Sequence, residues 1–167
     1  MARGAASGVG LLVVLAVGCS TSDPPPPAPS AACADTAPVP SGSVPAAVRD
    51  FDRKGEWYGA DDLWVARPRV QDDPAEGYRT KYPSITLDSG GQVTGRKGAP
   101  RVAVQRLDRS GSARGSSGST GGLATADGGR QWWPTVVQFA GPGCWRVTET
   151  LGSTEVRFTV RVAQLPK

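Results

Sequence analysis

Hydrophobic and polar positions alternate without a fault over residues 154–162. Val156, Phe158, Val160 and Val162 fall on one side; Glu155, Arg157, Thr159 and Arg161 fall on the other. A period of two with one apolar side predicts an antiparallel strand that buries one face and wets the other. Residues 144–151 (CWRVTETL) keep the same period. Trp145, Val147, Glu149 and Leu151 share one side, and Cys144, Arg146, Thr148 and Thr150 share the other. Gly152-Ser153 between the two segments predicts a two-residue hairpin turn. Matching the apolar sides places Trp145 among the valines and turns Cys144 away from that core.

Shorter segments upstream read the same way. Residues 56–58 and 62–66 flank a turn at Gly59-Ala60-Asp61. Residues 82–87 (YPSITL) predict a strand in which Pro83 marks a start or an edge, because proline has no N–H for a ladder. Asp88-Ser89-Gly90-Gly91 is a turn, followed by strand segments at 92–94, 101–107 (RVAVQRL) and 132–140. Residues 44–51 predict no more than a helical turn. Short strands punctuated by turns predict an all-β fold of two antiparallel sheets packed as a sandwich. The likeness to an immunoglobulin domain is one of architecture only. Cys33 and Cys144 are too far apart for its inter-sheet pair, and Pro142 rather than Tyr stands two residues before the second cysteine.

The alternation fails in two places. Gly (22) and Pro (15) together make up 37 of 167 residues, against an average near 12%. Their excess is concentrated, so it reports linkers rather than a disordered whole. Residues 19–47 are Pro/Ala/Ser-rich and predict a disordered, extended stalk. Residues 109–130 are Gly/Ser-rich and predict a flexible loop within a sandwich domain spanning 48–167.

The N-terminus adds an address. Arg3 supplies a charge, residues 9–17 (VGLLVVLAV) are apolar, and Ala16-Val17-Gly18-Cys19 precedes a polar stretch. This layout predicts a secretory signal over residues 1–18. The run is about half the length of a membrane span, which needs about 20 residues. The small residues before Cys19 resemble a bacterial lipobox, in which cleavage precedes the cysteine and its thiol takes on diacylglycerol. An ordinary cleaved signal without lipid is the alternative. The lipid reading predicts a protein anchored to the membrane on its extracytoplasmic side, since two acyl chains hold where one does not. Removing residues 1–18 takes Arg3 away and lowers the formal charge from +4 to +3, too small an excess to name an anionic partner.

Composition also excludes chemistry. The chain has no histidine, which removes Ser-His-Asp and Cys-His nucleophiles and the imidazole-based zinc and copper sites. No cofactor or metal is expected. Cys33 and Cys144 remain after Cys19, and in an oxidising compartment an even pair reads as a disulfide. A reactive thiol is the alternative, and without histidine its activation would need Arg or Lys.

Several segments resemble a family of bacterial secreted proteins and lipoproteins with no assigned activity. They are Gly59-Ala-Asp-Asp-Leu63-Trp64, Lys81-Tyr82-Pro83, Val104-Gln105-Arg106-Leu107-Asp108 and, above all, Phe139-Ala-Gly-Pro-Gly143-Cys144-Trp145-Arg-Val147-Thr148. The likeness runs over roughly residues 56–163. It implies a C-terminal Gly-Cys-Trp sandwich and an extracytoplasmic address. It also supports pairing of Cys144 with an early cysteine, and it brings no catalytic residues.

Candidate sites are few. The adjacent Trp132 and Trp133 must point opposite ways on a strand, so at least one is a candidate for stacking on a sugar. Trp64 and Trp145 are expected in the core. Asp61-Asp62 and Asp72-Asp73 read as solvated turn acids. Arg96, Lys97, Arg101, Arg106, Arg109 and Arg114 face one acid, Asp108, and read as a solvated strand edge, with contact to anionic lipid or teichoic polymers as the alternative. Nucleic acid is not expected as a partner, because the basic segment lacks interleaved aromatics. The sequence as a whole predicts a membrane-tethered, non-enzymatic module that binds a protein or polymer of the cell envelope. A carboxylate-based glycan hydrolase, a carbohydrate-binding module and a passive spacer are the alternatives.

Overall fold

The computed structural model describes residues 33–73, 77–118 and 121–164. Cys19, the signal segment and the first part of the Pro-rich stretch lie outside the described residues. The strands are β1 (Trp57–Ala60), β2 (Leu63–Ala66), β3 (Gln71–Asp73), β4 (Gly77–Thr86), β5 (Arg101–Arg106), β6 (Ala113–Ser117), β7 (Ala124–Ala126), β8 (Arg130–Phe139), β9 (Gly143–Leu151) and β10 (Thr154–Val162), with one short helix, α1 (Ala46–Phe51). All pairings are antiparallel. The larger sheet follows the order β1-β2-β4-β8-β6, with β3 also on β4 and β7 also on β8; the smaller is β10-β9-β5. This is the two-sheet all-β sandwich that the alternation predicts.

The β9–β10 hairpin turns at Gly152-Ser153, with Leu151 opposite Thr154 and Gly152 at φ 57°. The β1–β2 hairpin turns at Asp61-Asp62, closer to Leu63 than predicted. Asp61 takes φ 48°, a left-handed conformation that Asp tolerates better than most residues. Gly59 remains inside β1, where a Cβ would overlap the Trp64 ring.

Between the sheets lies a core of Tyr58, Leu63, Val65, Tyr82, Val137, Phe139, Trp145, Val147, Phe158 and their neighbours. Tyr58 stacks on Phe158 with centroids 4.5 Å apart, and Phe139 tilts against Trp145 at 5.5 Å. The outer face of the larger sheet is also apolar. Trp57, Trp64, Ile85 and Leu87 pack there under Val44 and Val48. Trp64 and Trp145 are thus both core residues, in separate layers.

Two expectations change. The Pro-rich stretch is not a free stalk as far as residue 47. From Cys33 onward it lies against the sandwich: Thr36 bonds Thr159, the Val39 N–H donates to the Trp57 carbonyl at 2.8 Å, and Val44 is buried. Proline does not oppose this, because an edge segment has few ladder bonds to lose. The Gly/Ser-rich stretch likewise contains β6 and β7. Ala113, Gly115 and Ser117 of β6 face inward, and a Cβ on Gly115 would come within 2.5 Å of Val102. Small residues there permit close approach to β5, so their composition reflects packing as well as flexibility.

Pro83 differs too, since it sits inside β4 opposite Pro134 of β8. Two facing prolines fit only a pair that exchanges no hydrogen bonds, so each directs its nitrogen away from the other. The β2–β4 ladder ends at Val65↔Ser84, just where Pro83 has no N–H to return to Ala66. Pairing resumes at Gln71↔Arg79. The outer edge of β4 is therefore open between β2 and β3, and residues 67–70 swing away from it.

Candidate functional site

That opening is the start of a groove of about 540 Å³ lined by Asp52, Glu56, Arg67, Arg69, Lys81 and Trp132, among others. Lys81 and Pro83 of β4 and Trp132 and Pro134 of β8 alternate with core residues and so belong to the outer face. Lys81 is opposite Val136, four residues along β8 from Trp132. At about 3.4 Å per residue the two mark points about 14 Å apart along the strand. The aromatic end and the cationic end of the groove are thus well separated.

Trp132 is set by α1. Its ring meets Phe51 edge-on with centroids 6.3 Å apart, and Phe51 also meets Trp57 at 6.2 Å. Arg130 lies over the Phe51 ring at 5.6 Å and donates to the carbonyls of Asp50 (2.5 Å) and Phe51 (3.3 Å). The helix end is clamped to β8, and the half-buried indole beside it is held with one side toward the groove.

The charges divide into bound and free. Glu56 accepts from the Arg67 guanidinium at 2.9 Å, and Asp35 stands 3.8 Å from the same group. Asp52 accepts the Lys54 N–H at 3.0 Å. Arg69 and Lys81 are exposed and form no ion pair among the described residues. Three cations and two acids line the groove, but only the pair Glu56–Arg67 is mutually neutralised.

Trp133 does not join this site. It points to the inner face, where its half-buried ring flanks Gly118 and its Nε1 is buried without a hydrogen-bond partner. The two adjacent tryptophans therefore serve opposite sides of the sheet.

A second polar cluster lies inside the sandwich. Glu149 is wholly buried on β9, between Val102 of β5 and Val156 of β10. Ser84 donates to its carboxyl at 2.8 Å. The Ser84 hydroxyl is 2.7 Å from that of Thr135, which donates to Ser117 at 2.9 Å. Tyr82 presents its hydroxyl to the same carboxyl, although neither that hydroxyl nor Oε1 of Glu149 makes a well-formed hydrogen bond. Burial pushes the Glu149 carboxyl up from 4.5 to about 7, against the opposing pull of Ser84 and Tyr82. Burial likewise raises the Tyr82 phenol well above its ordinary value. The sequence pattern places Glu149 on the apolar side of its strand. An acid at an inward position is the one signal in the sequence, and it lies apart from the turns and aromatics that mark the other candidates.

Cys33 and Cys144 form a disulfide, with their Cα atoms 5.4 Å apart. Cys144 sits on the outer face of β9, buried beneath the N-terminal segment. Beside the bond, Arg161 donates its guanidinium to the Cys33 carbonyl and its N–H to Asp35.

The basic segment does not converge. Lys97 pairs with Asp62 at 2.6 Å. Arg106 is nearly buried, pairs with Asp108 at 2.8 Å and lies 4.8 Å above the Trp145 ring. Asp61 holds the β1–β2 turn and Asp72-Asp73 falls in β3. Among the described residues no three His, Cys, Asp or Glu side chains gather to hold a metal ion. Neither a protein-family model, nor a curated protein, nor a solved structure matches this chain.

Proposed function

We propose that the chain is a lipid-anchored extracytoplasmic module that binds a component of the cell envelope without catalysis. The anchor is Cys19, in keeping with the lipoprotein family that the Gly143-Cys144-Trp145 segment resembles. The observation that carries the binding reading is the groove at the open edge of β4, with a positioned indole on β8, Lys81 on β4 and Arg69 on the adjoining loop, the two cations forming no ion pair among the described residues. Concave sites with one aromatic wall and a few directed polar groups are the usual form of a ligand pocket. The disulfide supports the address, because such bonds persist outside the cytoplasm. It also joins the tethered segment directly to β9. Anchoring is tested by the intact mass of membrane-extracted protein, which should show a diacylated Cys19; a soluble product with another N-terminus refutes it. Binding is tested by retention of Trp132→Ala on envelope glycan, which should fall well below that of the parent protein.

Glycan hydrolysis has one observation in its favour: Asp52 and Glu56 line the same groove. Glycosidases need one carboxyl kept protonated as the acid. Glu56 is committed to Arg67, and the carboxyl that burial raises toward neutrality, Glu149, is enclosed in the core. Absence of new reducing ends on prolonged incubation with envelope glycan is the expected result.

A further inference from the structure

We infer that the groove beside Trp132 takes an anionic polyhydroxylated chain, a sugar or polyol polymer bearing carboxylate or phosphate groups. The inference rests on the binding reading above and adds the ligand's chemical class. Three features of the groove lead to it.

The first is the distance between its working ends. The Trp132 and Lys81 backbone positions stand about 14 Å apart along the strands, a spacing set by the register Lys81↔Val136. A single small anion is shorter than that span, and a chain of linked units covers it, with one unit flat on the indole and another at the cations.

The second is the balance of charge. Glu56 neutralises Arg67, whereas Arg69 and Lys81 have no acid of their own among the described residues. An exposed cation left without a partner in a concave wall is available to an anion. A guanidinium meets carboxylate or phosphate with two parallel bonds, and an ammonium meets it as a point charge.

The third is the polar character of the rest of the lining. Asp52 and Gln71 lie in the same walls, and Lys81 directs its backbone N–H and C=O into the gap because its pair with Val136, like Pro83 with Pro134, exchanges no hydrogen bonds. Such groups suit hydroxyls. They suit an apolar peptide or a lipid tail poorly, since burying them unpaired costs free energy. A neutral sugar would leave Arg69 and Lys81 unused.

The test is calorimetric titration of the processed full-length protein in detergent with three probes: hexagalacturonate, poly(glycerol phosphate) and neutral maltohexaose. The expected result is binding of at least one anionic probe at least tenfold more tightly than maltohexaose. That preference should collapse in Arg69→Ala/Lys81→Ala and weaken as salt is raised. Hexagalacturonate and poly(glycerol phosphate) separate the carboxylate from the phosphate source. Trp132→Ala should weaken every probe that binds; a Trp132→Phe variant keeps an aromatic ring and covers the case in which the alanine variant misfolds. Equal binding of charged and neutral probes overturns the ligand class and leaves the groove reading standing. Failure of all three probes to bind, or binding indifferent to both Trp132 variants, overturns the groove reading and this inference with it.

Discussion

The two faces of β4 handle polar groups in opposite ways. Thr80, Tyr82 and Ser84 point inward and are enclosed; Lys81 and Pro83 point outward into the groove. On the inner side one run of polar groups is bonded, Ser117–Thr135–Ser84–Glu149, whereas the Thr80 and Tyr82 hydroxyls are buried without a well-formed hydrogen bond among the described residues. Burial withdraws the Glu149 carboxyl from bulk solvent, and the cost appears as a raised pKa. On the outer side water screens the charges, which remain available. β4 therefore meets the Glu149 cluster of β9 on one face and lines the groove on the other. Depth, rather than residue type, separates the enclosed polar groups from the exposed ones here.

The strongest way to break this arrangement is to remove the cover over the outer faces. The Cys33–Cys144 bond closes a loop with a sequence separation of 111. Chain-closure entropy for a loop of that length is worth about 4.7 kcal/mol. The Cys33→Ser/Cys144→Ser variant should lose most of it, and a denaturant midpoint matching the parent would show that the N-terminal segment is held by its packing alone.

Next comes the inner face. The folded-state pKa of Glu149 is about 7, above its ordinary 4.5. The neutral form is thus favoured by folding. Its contribution is complete below the unfolded value and is lost as pH rises through about 7. A shift of this size corresponds to about 3 kcal/mol. Stability should fall by that order between pH 4 and pH 8, while Glu149→Gln, which cannot ionise, should flatten the curve. Chemical denaturation across that range checks it, and a persistent slope in the variant would assign the pH dependence elsewhere.

Within the outer face, Phe51 supports both Trp132 and Trp57. Phe51→Ala should cost about 2 kcal/mol, less than a fully buried Phe because the ring is only half-buried. It should also loosen Trp132, seen as a red shift and greater quenching of tryptophan emission. Retained emission would mean that β8 alone positions the indole.

The smallest expected effect sharpens the contrast most. Arg69→Ala and Lys81→Ala should each change stability by less than about 0.5 kcal/mol, as exposed residues do that form no ion pair among the described residues. A thermal melt of each variant suffices, and a loss as large as that expected at Glu149 would mean that the outer charges are structural after all.

Much of the sandwich was legible from local pattern. Alternation in residues 144–162 fixes which side of β9 and β10 is buried, and period-two patterning needs no knowledge of distant partners. The same reasoning set Cys144 on the outer face and sent Trp132 and Trp133 in opposite directions. Pro83 alone reads as a strand start or an edge; its place in mid-strand depends on Pro134, 51 residues away in sequence. The Gly/Ser-rich stretch hid β6 because small residues are chosen there for the room left by Val102 and Val104, and local composition cannot register a distant neighbour. Asp52 and Glu56 are ordinary loop acids in the sequence, until the chain brings them into one groove with Trp132 and Lys81.

By itself the sequence determined the strand faces and the absence of imidazole chemistry, because each follows from residue identity or short-range spacing. Only the tertiary structure decided which edge of β4 stays open, which acid is enclosed and which cations lack a partner among the described residues. These depend on contacts between segments far apart in the chain, where excluded water and close packing, not local preference, set the outcome.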